Sequence, residues 1–123
     1  MASILIIEDD PTLRSLFKRF LGSKGYSILL AENGKEGLRL LREKHPDLVI
    51  TDIMMPEMDG LELLMAIRNG HDSVPVIAIS GGMRSLPVNF LQNAKVMGAR
   101  HVFEKPVSLD ELLRAVEELL PQM

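Results

Sequence analysis

Polar groups able to do chemistry stand directly after short apolar runs at several points in this chain of 123 residues. Ile4-Leu5-Ile6-Ile7 is followed by Glu8, Asp9 and Asp10, and Leu48-Val49-Ile50 by Thr51 and Asp52. Val76-Ile77-Ala78-Ile79 leads to Ser80, Val102-Phe103 to Glu104-Lys105-Pro106, and the weaker run Ile28-Leu29-Leu30 to Ala31-Glu32-Asn33. Carboxylates gathered within a few ångströms repel one another and resist full ionisation unless a cation sits among them. An oxygen-only set suits Mg²⁺, which takes one or two carboxylates, keeps several waters and leaves room for phosphate oxygens. A lysine opposite supplies a point charge for a phosphoryl oxygen, and a serine hydroxyl can hydrogen-bond another. With Glu8, Asp9 and Asp52 ionised, Lys105 protonated and one Mg²⁺ bound, the formal charges cancel. A phosphoryl ester on one carboxylate then leaves a single net negative charge, so aspartyl phosphate is electrostatically reasonable there.

Whether these groups meet depends on the elements that carry them. Short β-branched runs without alternation read as strands buried on both faces, as in a parallel sheet. Between them lie helical periods: Leu13, Leu16, Phe17, Phe20 and Leu21 on one face, and Leu109, Leu112, Leu113, Val116 and Leu120 on another. Asp10-Pro11 caps and starts the first helix. Asn33 with Glu36, and Ser108 with Glu111, have capping-box spacing. Asp59-Gly60 opens a helix that Asn69-Gly70 ends, and the segment 89–97 reads as a further helix. Five strand–helix pairs in strict alternation predict a doubly wound α/β domain with a five-stranded parallel sheet and five helices. In such sheets ligands bind beyond the carboxyl ends of the strands, where the acids, Ser80 and Lys105 all fall.

Composition narrows the function. The chain length corresponds to one domain, 1–123, with no room for a second, and Pro121-Gln122-Met123 reads as an end. Hydrophobic residues at 46% and charged residues at 25% are an ordinary globular balance. There is no cysteine, which excludes disulfides and thiolate metal sites. A net charge of −3 argues against a nucleic-acid grip. The first apolar run is cut off by the acids, so it reads as neither export signal nor membrane span, and a cytoplasmic location is expected. Asp10, Asp47 and Asp59 have plain readings as cap or turn residues. His45, His71 and His101 share no metal-ligand spacing and are expected in loops or at the surface. Met54, Met55, Met58 and Met65 read either as core filler or as an adaptable partner surface. No Walker A, HExxH or GxGxxG motif is present.

Taken in order, Ile4 through Pro11, Pro46 through Pro56 running into Met58-Asp59-Gly60, Pro75 through Ser80, Gly98-Ala99 and Phe103-Glu104-Lys105-Pro106 resemble the receiver domain of two-component response regulators, the CheY-like fold. The resemblance covers nearly the whole chain. It implies the flavodoxin-like strand order 2-1-3-4-5, and Asp52 as phosphoacceptor. It also implies Mg²⁺ held by Glu8, Asp9, Asp52 and the carbonyl of Met54, with Ser80 and Lys105 on the phosphoryl group and a cis bond before Pro106. Catalytic roles would fall to Asp52, Ser80 and Lys105 in the protein's own phosphorylation and dephosphorylation, with no separate substrate turned over. The donor would be a histidine kinase or histidine phosphotransfer protein. The output face would be the fourth helix, fifth strand and fifth helix, 88–120, read by a downstream protein in trans or by a second copy of the chain.

Three departures stand out. Val102 occupies the switch position where the family often has an aromatic coupled to the hydroxyl residue, here Ser80. The stretch 81–88 looks a few residues longer than usual. Met54 and Gly82, two beyond the acid and two beyond the hydroxyl, cannot orient a water by hydrogen bonding, which predicts slow self-dephosphorylation. Val102 also leaves open a phosphorylation-independent binding module. A haloacid-dehalogenase-like phosphatase would want an acid where Met54 stands, and FMN binding would want a non-acidic first loop and more aromatics.

Overall fold

The computed structural model describes residues 2–52, 60–71, 74–80 and 98–120. Its elements run β1 (Ser3–Ile7), α1 (Pro11–Ser23), β2 (Ser27–Ala31), α2 (Gly34–Lys44), β3 (Leu48–Asp52), α3 (Gly60–His71), β4 (Val76–Ser80), β5 (Ala99–Glu104) and α4 (Leu109–Leu119). The helix expected over 89–97 lies outside the described residues, so α4 is the last helix among the described residues.

All strand pairs are parallel and the order is β2-β1-β3-β4-β5, as the resemblance implied. β1, β3 and β4 are the inner strands, which is why their runs are solidly apolar: each buries both faces. Alternate residues feed two cores. Leu5, Ile7, Val49 and Ala78 pack with Leu38, Leu41, Leu64 and Ile67 of α2 and α3. Ile4, Ile6, Ile50, Ile77 and Ile79 pack with Phe17 and Leu21 of α1 and Leu112 and Val116 of α4.

The helix starts follow the sequence signals. The Asp10 side chain accepts hydrogen bonds from the Thr12 and Leu13 amides, and Pro11 opens α1. Asn33 and Ser108 accept from the Glu36 and Glu111 amides. The Glu36 carboxylate turns to Arg39 rather than back to its cap.

Four expectations change. α3 continues through Asn69-Gly70 to His71. Leu16 is 44% exposed, because the buried stripe of α1 is centred between Phe17 and Leu21, roughly 120° around the helix from it. Asp47 does more than turn the chain: its Oδ2 accepts the Ser3 amide at 2.8 Å, tying the approach to β3 to the start of β1. His101 is neither in a loop nor simply at the surface. It lies in β5, half-buried, stacks on Phe103 with ring centroids 6.1 Å apart, and pairs through Nε2 with Glu118 of α4 at 3.2 Å. Met65 of α3 is 53% exposed and so is not core filler. Met54, Met55 and Met58, Asp59 and the 81–88 stretch lie outside the described residues, as do Pro121, Gln122 and Met123.

Candidate functional site

The parallel sheet brings the carboxyl ends of all its strands to one rim, and the predicted residues collect there. Asp52 and Ser80 are the last residues of β3 and β4, Glu8 directly follows β1, and Lys105 directly follows β5. Asp52 and Ser80 are 2% and 1% exposed, and Glu8 is 1% exposed. Asp9, one residue on, is exposed. Carboxylate oxygens of Glu8, Asp9 and Asp52 lie within 4.8 Å of one another. Met54, whose carbonyl completes the ligand set that the resemblance implies, is outside the described residues.

Lys105 reaches back across this cluster. Its Nζ donates to Asp52 Oδ2 at 2.8 Å and lies 3.4 Å from Glu8 Oε1. Its amide donates to the Ser80 carbonyl at 2.9 Å, so the strand register and the ion pair are set together. The Lys105–Pro106 bond is cis, as the resemblance implied. Burial opposes the lysine charge, yet the Asp52 hydrogen bond and the fields of Asp52 and Glu8 outweigh it and hold its pKa above the ordinary value. The Glu8 pKa is raised as well, which for a carboxyl disfavours the charged form. Burial pushes its pKa up to about 7, reinforced by Asp52 and opposed by the Asp10 amide and Lys105. A carboxyl so poised is mostly protonated only below about pH 7, and a cation bound beside it would favour the ionised form.

The donor chemistry fits a hard divalent cation. Three carboxylates within 4.8 Å share one lysine for compensation, and Glu8 Oε1 accepts no hydrogen bond among the described residues. The buried Ser80 Oγ likewise has no hydrogen-bond partner among them, a costly state for a hydroxyl unless a ligand completes it.

Val102 is partly buried against the α2/α3-side core and pairs with Ala78, on the face of the sheet that Ser80 shares two residues further along β4. One group near the site was not anticipated from sequence. Arg14 of α1 donates from Nη1 to the Glu8 backbone carbonyl at 2.9 Å. A carbonyl has no sequence signature, and a basic residue one turn into a helix reads as solvent-facing.

This rim of acids, lysine and unpaired hydroxyl on a 2-1-3-4-5 sheet defines a class. The family model described as response regulator receiver domain matches residues 4–117, and the chain belongs to that family, the signal-transducing receivers of two-component systems. The chain is 39% identical over 121 residues to the transcriptional regulatory protein GlrR of Escherichia coli K12, covering 98% of this chain and 27% of that protein. It is 35% identical over 117 residues to the response regulator MprA of Mycolicibacterium vanbaalenii, covering 95% of this chain and 49% of that one. It thus spans less than half the length of either relative. Among solved structures, a receiver domain protein from Clostridium thermocellum superposes with a TM-score of 0.90 at 30% identity, over 98% of this chain and 94% of that one. A two-component response regulator from Clostridium difficile gives 0.90 at 29% identity, over 100% and 98%.

Proposed function

We propose that the chain is a phosphorylation-operated switch in which Asp52 accepts a phosphoryl group from a phosphohistidine. The observation that carries this reading is the 2.8 Å pair of Lys105 Nζ with Asp52 Oδ2, set in a buried cluster with Glu8 and, at its open edge, Asp9. An Asp52 carboxylate oxygen attacks phosphorus, the P–N bond to the donor histidine breaks, and the imidazole leaves and takes up a proton. Glu8, Asp9 and Asp52 would hold Mg²⁺, with the Met54 carbonyl as a further ligand by family analogy. Bound there, the ion supplies positive charge to the transferring phosphoryl oxygens. Lys105 neutralises one of those oxygens and Ser80 Oγ hydrogen-bonds another, so catalysis is positioning and charge stabilisation. The protein catalyses its own modification and turns over no separate substrate.

The donor is a histidine kinase or histidine phosphotransfer protein in the cytoplasm. The signal leaves through the face that includes β5 and α4, to a protein target in trans or to a second copy. Ser80 and Lys105 are joined through the β4–β5 register, so their movement toward a phosphoryl group bears directly on that face.

The test is incubation with a small-molecule phosphodonor, with and without Mg²⁺. An acid-stable, base-labile adduct is expected that requires Mg²⁺ and vanishes in Asp52→Asn. A protein that forms no such adduct is not a phosphorylation switch, and a phosphorylation-independent binding module takes its place.

A further inference from the structure

We propose that Arg14 is a positioning residue for the acidic site, acting through the peptide unit that joins Glu8 to Asp9. This assignment rests on the receiver reading and deepens it.

The β1 ladder ends at Ile7, and the Glu8 amide makes one more bond, to the Ala31 carbonyl at 3.0 Å. The Glu8 carbonyl lies beyond that ladder, and a carbonyl at such a place needs a donor. Arg14 Nη1 supplies it at 2.9 Å. The Arg14 side chain is only 17% exposed, so a long, rotamer-rich chain is turned back toward the end of β1 instead of into water. Its other arm, Nη2, lies 3.9 Å from Glu32 Oε1, just past β2. Glu32 is exposed, so this second contact orients the guanidinium and adds little energy.

The carbonyl matters because of what shares its plane. A peptide unit is rigid, so fixing the Glu8 oxygen also fixes the amide of Asp9. The two residues on either side of that plane supply two of the three clustered carboxylates. Within the loop, Glu8 Oε2 accepts the Asp10 amide at 3.1 Å, and Asp10 caps α1. The loop that presents Glu8 and Asp9 is therefore held by two contacts, one internal through Glu8's own carboxylate and one from the Arg14 guanidinium.

Charge and position predict opposite signs for the loss of Arg14. A cation beside a metal site repels the metal, so on Coulombic grounds alone its removal tightens Mg²⁺ binding. Loss of loop alignment weakens it, and outer-shell changes of this kind cost about tenfold or more in metal affinity.

The experiment is calorimetric titration of the folded protein with Mg²⁺ alone, comparing the parent with Arg14→Met, which keeps the apolar stem and loses both donors. Arg14→Lys restores one donor, and Arg39→Ala removes an equal charge from the exposed face of α2. The expected result is a dissociation constant raised about tenfold in Arg14→Met, partly recovered in Arg14→Lys and unchanged in Arg39→Ala. Phosphodonor labelling at saturating Mg²⁺ stays within about twofold of the parent, because the loss lies in metal binding rather than in the transfer step. If Arg14→Met does not fold, Arg14→Gln takes its place with the same expected rise. An unchanged or lowered constant in the variant overturns the assignment alone. No Mg²⁺ binding by the parent overturns the reading of the site and this assignment with it.

Discussion

At the scale of single residues, Glu8 sets how the metal-free protein responds to pH. Burial holds its folded pKa near 7, above the ordinary 4.5. Between those values the folded state keeps a proton that the unfolded chain releases. The associated stability is complete below about pH 4.5 and is lost as pH rises through about 7. The sign is the reverse of that for a salt-bridged carboxylate with a lowered pKa. Urea midpoints of the metal-free protein should therefore fall from pH 5 to pH 8. Glu8→Gln, a neutral side chain of the same shape, should flatten that slope and exceed the parent in stability at pH 8. Equal slopes in the two proteins would show that Glu8 is not the titrating group. Lys105 contributes nothing to this window, because its raised pKa keeps it charged throughout.

At the scale of elements, packing decides where glycine is required. A Cβ on Gly37 of α2 would collide with Ile7 Cδ1 and stand 2.8 Å from its Cγ1, within a side chain that is 1% exposed. Overpacking of this kind costs about 1–3 kcal/mol, against a helix-propensity gain of about 1 kcal/mol. Gly37→Ala should lose about 1 kcal/mol net by denaturant titration. Gly22→Ala in α1, where the nearest atom is 4.0 Å away, should gain up to about 1 kcal/mol. The same distinction explains what the sequence made legible. β1, β3 and β4 could be read because inner strands bury both faces, and the acids could be read because a carboxylate after such a strand lacks a structural purpose. Leu16 was misplaced because periodicity defines a stripe but not its centre. β5 was harder to read and His101 went astray, because an edge strand mixes half-buried and polar residues. Arg14 stayed hidden because its partner is a main-chain oxygen.

At the scale of the whole molecule, binding at the rim should register as global stability. Mg²⁺ at ten times its dissociation constant stabilises a protein by about 1.4 kcal/mol, which for a domain of this size raises Tm by about 3–6 °C. That shift should appear in thermal melts of the parent and vanish in Asp52→Asn and Asp9→Asn. A shift that persists in both variants would place the ion elsewhere. Among the described residues no helix is long and apolar enough to cross a membrane. The pairing of Lys105 with Glu8 and Asp52 joins residues 97 and 53 positions apart. Contacts of such long range form late, since the intervening chain must close its loops first. The site is thus assembled from both ends of the domain at once, and a nascent or partly unfolded chain has acids but no lysine beside them. Under the proposed function, competence to take a phosphoryl group would then be a certificate of completed folding, and immature chains would stay silent.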